Sequence, residues 1–184
     1  MTRIPMVVGG AFVVGGALLV VSGWIASLPG NGIDPPSAAP GPVTSAAYGP
    51  QPHNATASQA AEHALVAMFT WRPASDVSAG MALSRAKPWL AAPLVEAADS
   101  APAGGAREVP EWALWRRAAD VVAAHARAQQ TSDCDQQRCT VDATVTQTVL
   151  HIDGTSTPYR VMQVRAWTRH TSEGWRMAGY RLIR

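Results

Sequence analysis

Residues 139–153 read CTVDATVTQTVLHID, and their alternation decides the fold. Val141, Ala143, Val145 and Val149 fall on one side of an extended chain, with Asp142, Thr144, Thr146 and Thr148 on the other. A period of two residues belongs to a strand in an antiparallel sheet with one packed face. The neighbouring runs share this texture: VVAAHARAQQ (121–130), PYRVMQVRAWTRH (158–170) and GWRMAGYRLI (174–183). In the second of them, Met162, Val164 and Ala166 oppose Gln163, Arg165, Trp167 and Arg169. Asp153-Gly154 marks a hairpin whose loop Thr155 to Pro158 should lengthen. Glu173-Gly174 turns the chain into a last strand ending on Arg184.

Ahead of the strands the period is helical. Thr56 and Gln59 form a capping box, in which hydroxyl and amide satisfy helix-start amides reciprocally. Behind it Ala61, Ala64, Leu65, Met68 and Phe69 make an apolar stripe, and Pro73 should stop the helix. Asp76 or Ser75 is expected to cap a second stretch, DVSAGMALSRAKPWL (76–90), with Met81, Leu83 and Trp89 buried. Pro88 and Pro93 break it up, LVEAA makes a further short turn, and a loop runs from about Asp99 to Pro110. Helices followed by a meandering sheet predict an α+β domain over 56–184, its helices on one face of a curved antiparallel sheet.

Upstream, Ile4 to Leu28 contains no charged residue. A bilayer core needs about 20 apolar residues in helical form, so 4–28 is predicted to be a transmembrane helix. Only Arg3 and the amino terminus precede it, and no Lys or Arg follows until Arg72. The positive-inside bias places residues 1–3 in the cytoplasm and the remaining chain outside. The rival reading is a cleaved signal peptide, whose apolar region is about 7–15 residues. This run is longer, and Trp24 and Leu28 crowd the cleavage-like positions. Gly9, Gly16 and Gly23 lay small side chains along one flank, a candidate helix–helix face, although glycine is common in membrane helices anyway. Residues 29–55 hold half of the 14 prolines, with Asp34 the only charge. They predict an extended or disordered linker, which at about 3.1 Å per residue would reach roughly 80 Å.

A net charge of +2 with 15% charged residues is too mild to point to nucleic acid or an acidic substrate. Cys134 and Cys139 fall outside the cytoplasm on this topology, where a disulfide is the default. Free thiols and a metal are the alternatives. A redox motif leaves two residues between its cysteines, and a zinc site needs two further ligands, with only His125 and His151 nearby. No metal or cofactor is expected.

A capped amphipathic first helix, short helices and then long strands closing on GWRMAGYRL resemble the cone-shaped nuclear-transport-factor-2-like fold. With the short start, single anchor and proline-rich linker, the layout resembles two bacterial groups, most of all in the stretches EWALWRRAADVVAAHARAQQ and CTVDATVTQT. One is the VirB-family bitopic core component of type IV secretion and conjugation machines, with related Gram-positive conjugation proteins. The other is the Mce-associated membrane proteins of actinobacteria. The resemblance implies a single-pass membrane protein, cytoplasmic at its N-terminus, whose external domain assembles with other proteins of an envelope complex for conjugation, secretion or transport.

Enzymes of that fold use a buried Asp or His with a Tyr or second acid inside the cone. The candidates here are Asp120, His125, Asp142, Tyr159 and Tyr180. Asp142 falls on the threonine face, Asp120 should pair with Arg116 or Arg117, and His125 has no acid in view. No nucleophile elbow, phosphate loop or HExxH motif is present. The expectation is therefore non-catalytic, with a small-ligand binder or cone-cavity enzyme as the alternative. Trp112, Trp115, Arg116 and Arg117 have the composition of an interface hot spot, although a tryptophan packed on the core would serve as well. Arg165, Trp167, Arg169 and Arg176 interleave basic and aromatic groups on the non-core strand face. Single-stranded nucleic acid would suit such a face, but the external topology favours a protein partner. Their charges should also oppose dimerisation across a two-fold axis.

Overall fold

The computed structural model describes residues 51–100 and 109–183. The helix expected over 4–28, its Gly9, Gly16 and Gly23 flank, and the linker up to residue 50 lie outside the described residues. Among the described residues no helix is long and apolar enough to cross a membrane.

Strands β1 (Val121–Ser132), β2 (Arg138–Leu150), β3 (Ser156–Thr171) and β4 (Gly174–Ile183) form one antiparallel sheet in chain order. The alternation holds: Val141, Ala143, Val145 and Val149 are buried, as are Met162, Val164 and Ala166. Two polar residues share that inner face. Gln147 is 0% exposed and its Nε2 donates to the Phe69 carbonyl at 2.7 Å. Thr168 is buried and donates to the Cys139 carbonyl at 2.9 Å. Register shifts at Ala128/Gln130, Gln147/Thr148 and Trp167/Thr168 interrupt the ladders, and such bulges bend a strand and tighten its twist.

The β2–β3 turn is shorter than expected. The Asp153 carboxylate accepts from both the backbone N–H and the hydroxyl of Thr155, at 2.8 and 2.7 Å, and Gly154 supplies φ +84°. That local turn lets β3 begin at Ser156, so Pro158 lies inside the strand. Proline is tolerated there because β4 reaches only as far as Gln163, leaving this part of β3 at an edge.

Helix α1 (Ala57–Phe69) carries the capping box: Thr56 Oγ1 accepts from Gln59 N at 3.2 Å, and Gln59 Oε1 accepts from Thr56 N at 2.9 Å. Its Ala61, Ala64, Leu65 and Met68 pack on the sheet's inner face. The helix ends before Pro73 is reached, because Thr70 turns extended and Trp71 bridges to Val122. The Thr70 hydroxyl accepts from Ala124 N and the Glu62 carboxylate from Ala128 N, at 3.1 and 2.7 Å. These contacts shield the outer edge of β1, which would otherwise present bare amides.

Among the described residues three further α-helices follow, α2 (Met81–Ala86), α3 (Leu94–Asp99) and α4 (Trp112–Ala118), with a 3-10 turn at Lys87–Trp89. Neither Asp76 nor Ser75 caps α2, which starts at Met81 without a side-chain cap. Asp76 is instead 7% exposed and accepts from Arg72 N at 2.8 Å and from Arg85 at 2.6 and 2.9 Å. Because α2 is short and starts late, its phase differs from the expected one. Ala82, Ala86 and Leu90 are buried, while Met81, Leu83 and Trp89 are half-buried.

The folded body also begins ahead of Thr56. A 3-10 turn at Pro52–Asn54 packs on β4: Arg176 Nη1 donates to the Pro52 carbonyl at 2.8 Å. The His53 carbonyl oxygen lies 2.8 Å from where a side chain on Gly174 would start, and Gly174 has φ +99°. Any other residue there meets both backbone strain and a clash.

Candidate interaction site on the open sheet face

The two tryptophans of the Trp/Arg cluster do not lie on the surface. Trp112 and Trp115 are 0% and 5% exposed and form a second apolar cluster with Trp71, Ala82, Val122 and Val149. Trp115 meets the Tyr159 ring edge-on at 4.9 Å. The sequence shows only that Trp and Arg are adjacent; a helical turn then separates them, sending both indoles inward. Arg116 stays outside but is spent on fold contacts, donating to the carbonyls of Pro73, Asp76 and Val77. Arg117 is exposed.

Asp120 has a different partner from the one expected. Ala119 takes the left-handed conformation at φ 56° and ends α4, so Asp120 turns away from Arg116 and Arg117. It is 4% exposed, and its Oδ1 lies 3.0 Å from His151 Nδ1, while His151 Nε2 lies 2.9 Å from Thr157 Oγ1. Carboxylate, imidazole and hydroxyl in this order match a hydrolase triad in name. Here, however, the hydroxyl sits within the β2–β3 ladder opposite Val149. None of the concavities described below includes any of the three. The chain instead ties the β2–β3 turn to the α4–β1 corner.

The space between helices and sheet is filled by Leu65, Met68, Val141, Val145, Val164 and Met177. Tyr180 lies at its edge, against Phe69 at 5.9 Å, and burial raises its phenol above the usual range. Burial also raises Tyr159, behind Trp115. His125 is exposed, and no cluster of metal-ligating side chains occurs among the described residues. Cys134 and Cys139 are joined by a disulfide.

Among the described residues no α-helix covers the other face of the sheet, where only the Pro52–Asn54 turn packs, against Gly174 and Arg176 at the start of β4, and there the expected basic and aromatic residues meet. Arg165 donates to both carboxylate oxygens of Asp142 at 2.7 Å, which holds that carboxyl below its ordinary range. Trp167 is 39% exposed, packs on Gly179 and carries the Arg181 guanidinium 5.7 Å above its ring. Beside it lies a depression of about 300 Å³ lined by Arg138, Thr140, Trp167, Arg169 and Asp133. Arg176, the direct partner of Arg169 across the β3–β4 ladder, leaves the sheet on this face too but is only 6% exposed, its guanidinium held by the Pro52 carbonyl. Arg138 and Arg181 join instead, through register positions that alternation within one strand does not reveal. A second open concavity, of about 510 Å³, runs beside Val161, Met162, Leu182 and Ile183, and a third, of about 320 Å³, lies by His63 and Trp89.

The described residues thus form an α+β domain with one sheet face packed under α-helices and the other free of α-helix. No family model matches the chain, and no curated protein matches it. Among solved structures, the intermembrane space region of the chloroplast protein ARC6 aligns over 51% of this chain and 72% of its own, at 13% identity and a TM-score of 0.27. A likeness of that size carries no argument about either fold or function.

Proposed function

We propose that this is a non-catalytic, single-pass membrane protein whose external domain docks other proteins of an envelope-spanning complex through the open sheet face. The anchor fixes its position, the linker sets its reach, and the sheet makes the contact. The observation that carries this reading is the division of the sheet: apolar side chains close the inner face, while Trp167 and its arginines stand on the outer one. A packed interior leaves the chemistry of recognition to the exterior, and Trp and Arg are the residues that dominate protein interfaces. The layout's resemblance to conjugation, secretion and Mce-associated proteins supports the same kind of role, with the cone fold as its scaffold. Affinity capture of the full-length protein from membranes tests it. Trp167→Ala with Arg169→Ala should lose the captured proteins and Arg117→Ala should keep them; equal capture by all three proteins contradicts the reading.

A further inference from the structure

The open face has an unusual charge arrangement. Arg138 and Arg169 are direct cross-strand partners on β2 and β3, Arg165 and Arg181 are direct partners on β3 and β4, and Arg169 also faces Arg176 on β4. Like charges placed opposite each other on a sheet face are about 5 Å apart at Cβ and destabilise the ladder. Two of the five are engaged, Arg165 by Asp142 and Arg176 by Glu173 and the Pro52 carbonyl. The other three make no ion pair among the described residues. Asp133, at the rim, accepts only a 3.5 Å hydrogen bond from the neighbouring Ser132 hydroxyl.

The fold also fixes this pairing in place. Asp135 Oδ1 accepts from the backbone N–H of both Gln137 and Arg138 at 2.7 Å, and the disulfide closes the same loop. His170 N donates to the Gln137 carbonyl at 2.8 Å, binding the loop to β3. The opposed arginines are thus held by the loop at the mouth of the 300 Å³ depression.

We propose that this depression receives an acidic segment of a partner protein, its carboxylates bridging Arg138 and Arg169 while its backbone lies along Trp167. The inference rests on the docking reading above and names the chemistry of the docked surface. Guanidinium groups match carboxylates with paired N–H donors, and an anion between two of them removes their repulsion. A nucleobase fits less well. The indole already packs on Gly179 and lies under Arg181, so stacking would require Arg181 to leave.

The test uses the full-length protein in neutral phosphatidylcholine nanodiscs and a fluorescein-labelled hexaglutamate peptide, read by anisotropy. Hexaglutamate should bind and hexaglutamine should not. Arg138→Gln with Arg169→Gln should weaken binding at least about 10-fold, the loss of two charge-assisted contacts, whereas Arg117→Gln should not change it. The same double substitution should raise the Tm by about 1–4 °C, because it removes the opposed charges. A merely structural pair would lower it. Binding that ignores the two arginines, a lowered Tm, or displacement of the peptide more readily by oligo-dT or phosphatidylglycerol vesicles than by unlabelled hexaglutamate overturns the inference. Membrane capture separates the two levels. If Trp167→Ala loses the partners and Arg138→Gln/Arg169→Gln keeps them, the acidic-segment inference fails and the docking reading stands. If neither loses them, the docking reading itself fails.

Discussion

Asp142 on β2 grips Arg165 on β3 straight across the ladder, each carboxylate oxygen accepting one guanidinium hydrogen bond of 2.7 Å. The pair holds the Asp142 carboxyl below its ordinary range, chiefly through those hydrogen bonds. A depressed carboxyl contributes stability above its unfolded value of about 3.9, and that contribution disappears as pH falls through the lower folded value. Asp142→Asn should therefore lower the Tm at pH 7 and lower it less at pH 2.5. Both side chains are partly exposed, so the effect is small and salt-sensitive. Thermal melts at the two pH values check it.

Gln147 is the one amide on the sheet's inner face, and its only partner is the last carbonyl of α1. Gln147→Ala should cost about 2–4 kcal/mol, combining a cavity with an unsatisfied carbonyl. Gln147→Leu should cost less, since it keeps the volume and removes the unpartnered Oε1. Urea titrations of the two variants give the comparison.

Trp112→Ala should cost about 3–5 kcal/mol, as expected for deleting a buried aromatic. Capture of partners per folded molecule should not change. Denaturation and membrane capture measured on the same preparation separate the two effects.

Replacing both cysteines by serine opens a short ring, which the chain-entropy model values at about 2 kcal/mol. The domain should remain folded with its midpoint lowered. The β1–β2 turn then loses its covalent closure and keeps only the Asp135 hydrogen bonds, so hydrogen exchange should quicken there before it does in β3.

Much of this fold is written in local pattern. The β2 and β3 alternation, the Thr56/Gln59 capping box and the cysteine spacing each concern neighbours along the chain, and each is found as expected. What stayed hidden depends on distant partners. The left-handed Ala119 swings Asp120 from two nearby arginines to His151, and the Pro52 carbonyl draws in the guanidinium of Arg176 opposite Arg169. Trp112 and Trp115 have one composition whether they dock a partner or fill a core; only Trp71 and Val122, brought in by tertiary packing, decide between the two. The opposed Arg138 and Arg169 follow from strand register, which a single sequence does not display.

The central claim is that function lies on the bare sheet face and not in the interior. Photocrosslinking residues placed one at a time at Thr144, Gln163 and Arg169 on that face, and at Glu96 and Arg117 on the helical side, test it in intact membranes. The account predicts protein adducts from the first three positions and none from the other two. Adducts confined to the helical side, or absent from all five while the protein remains folded, would contradict it.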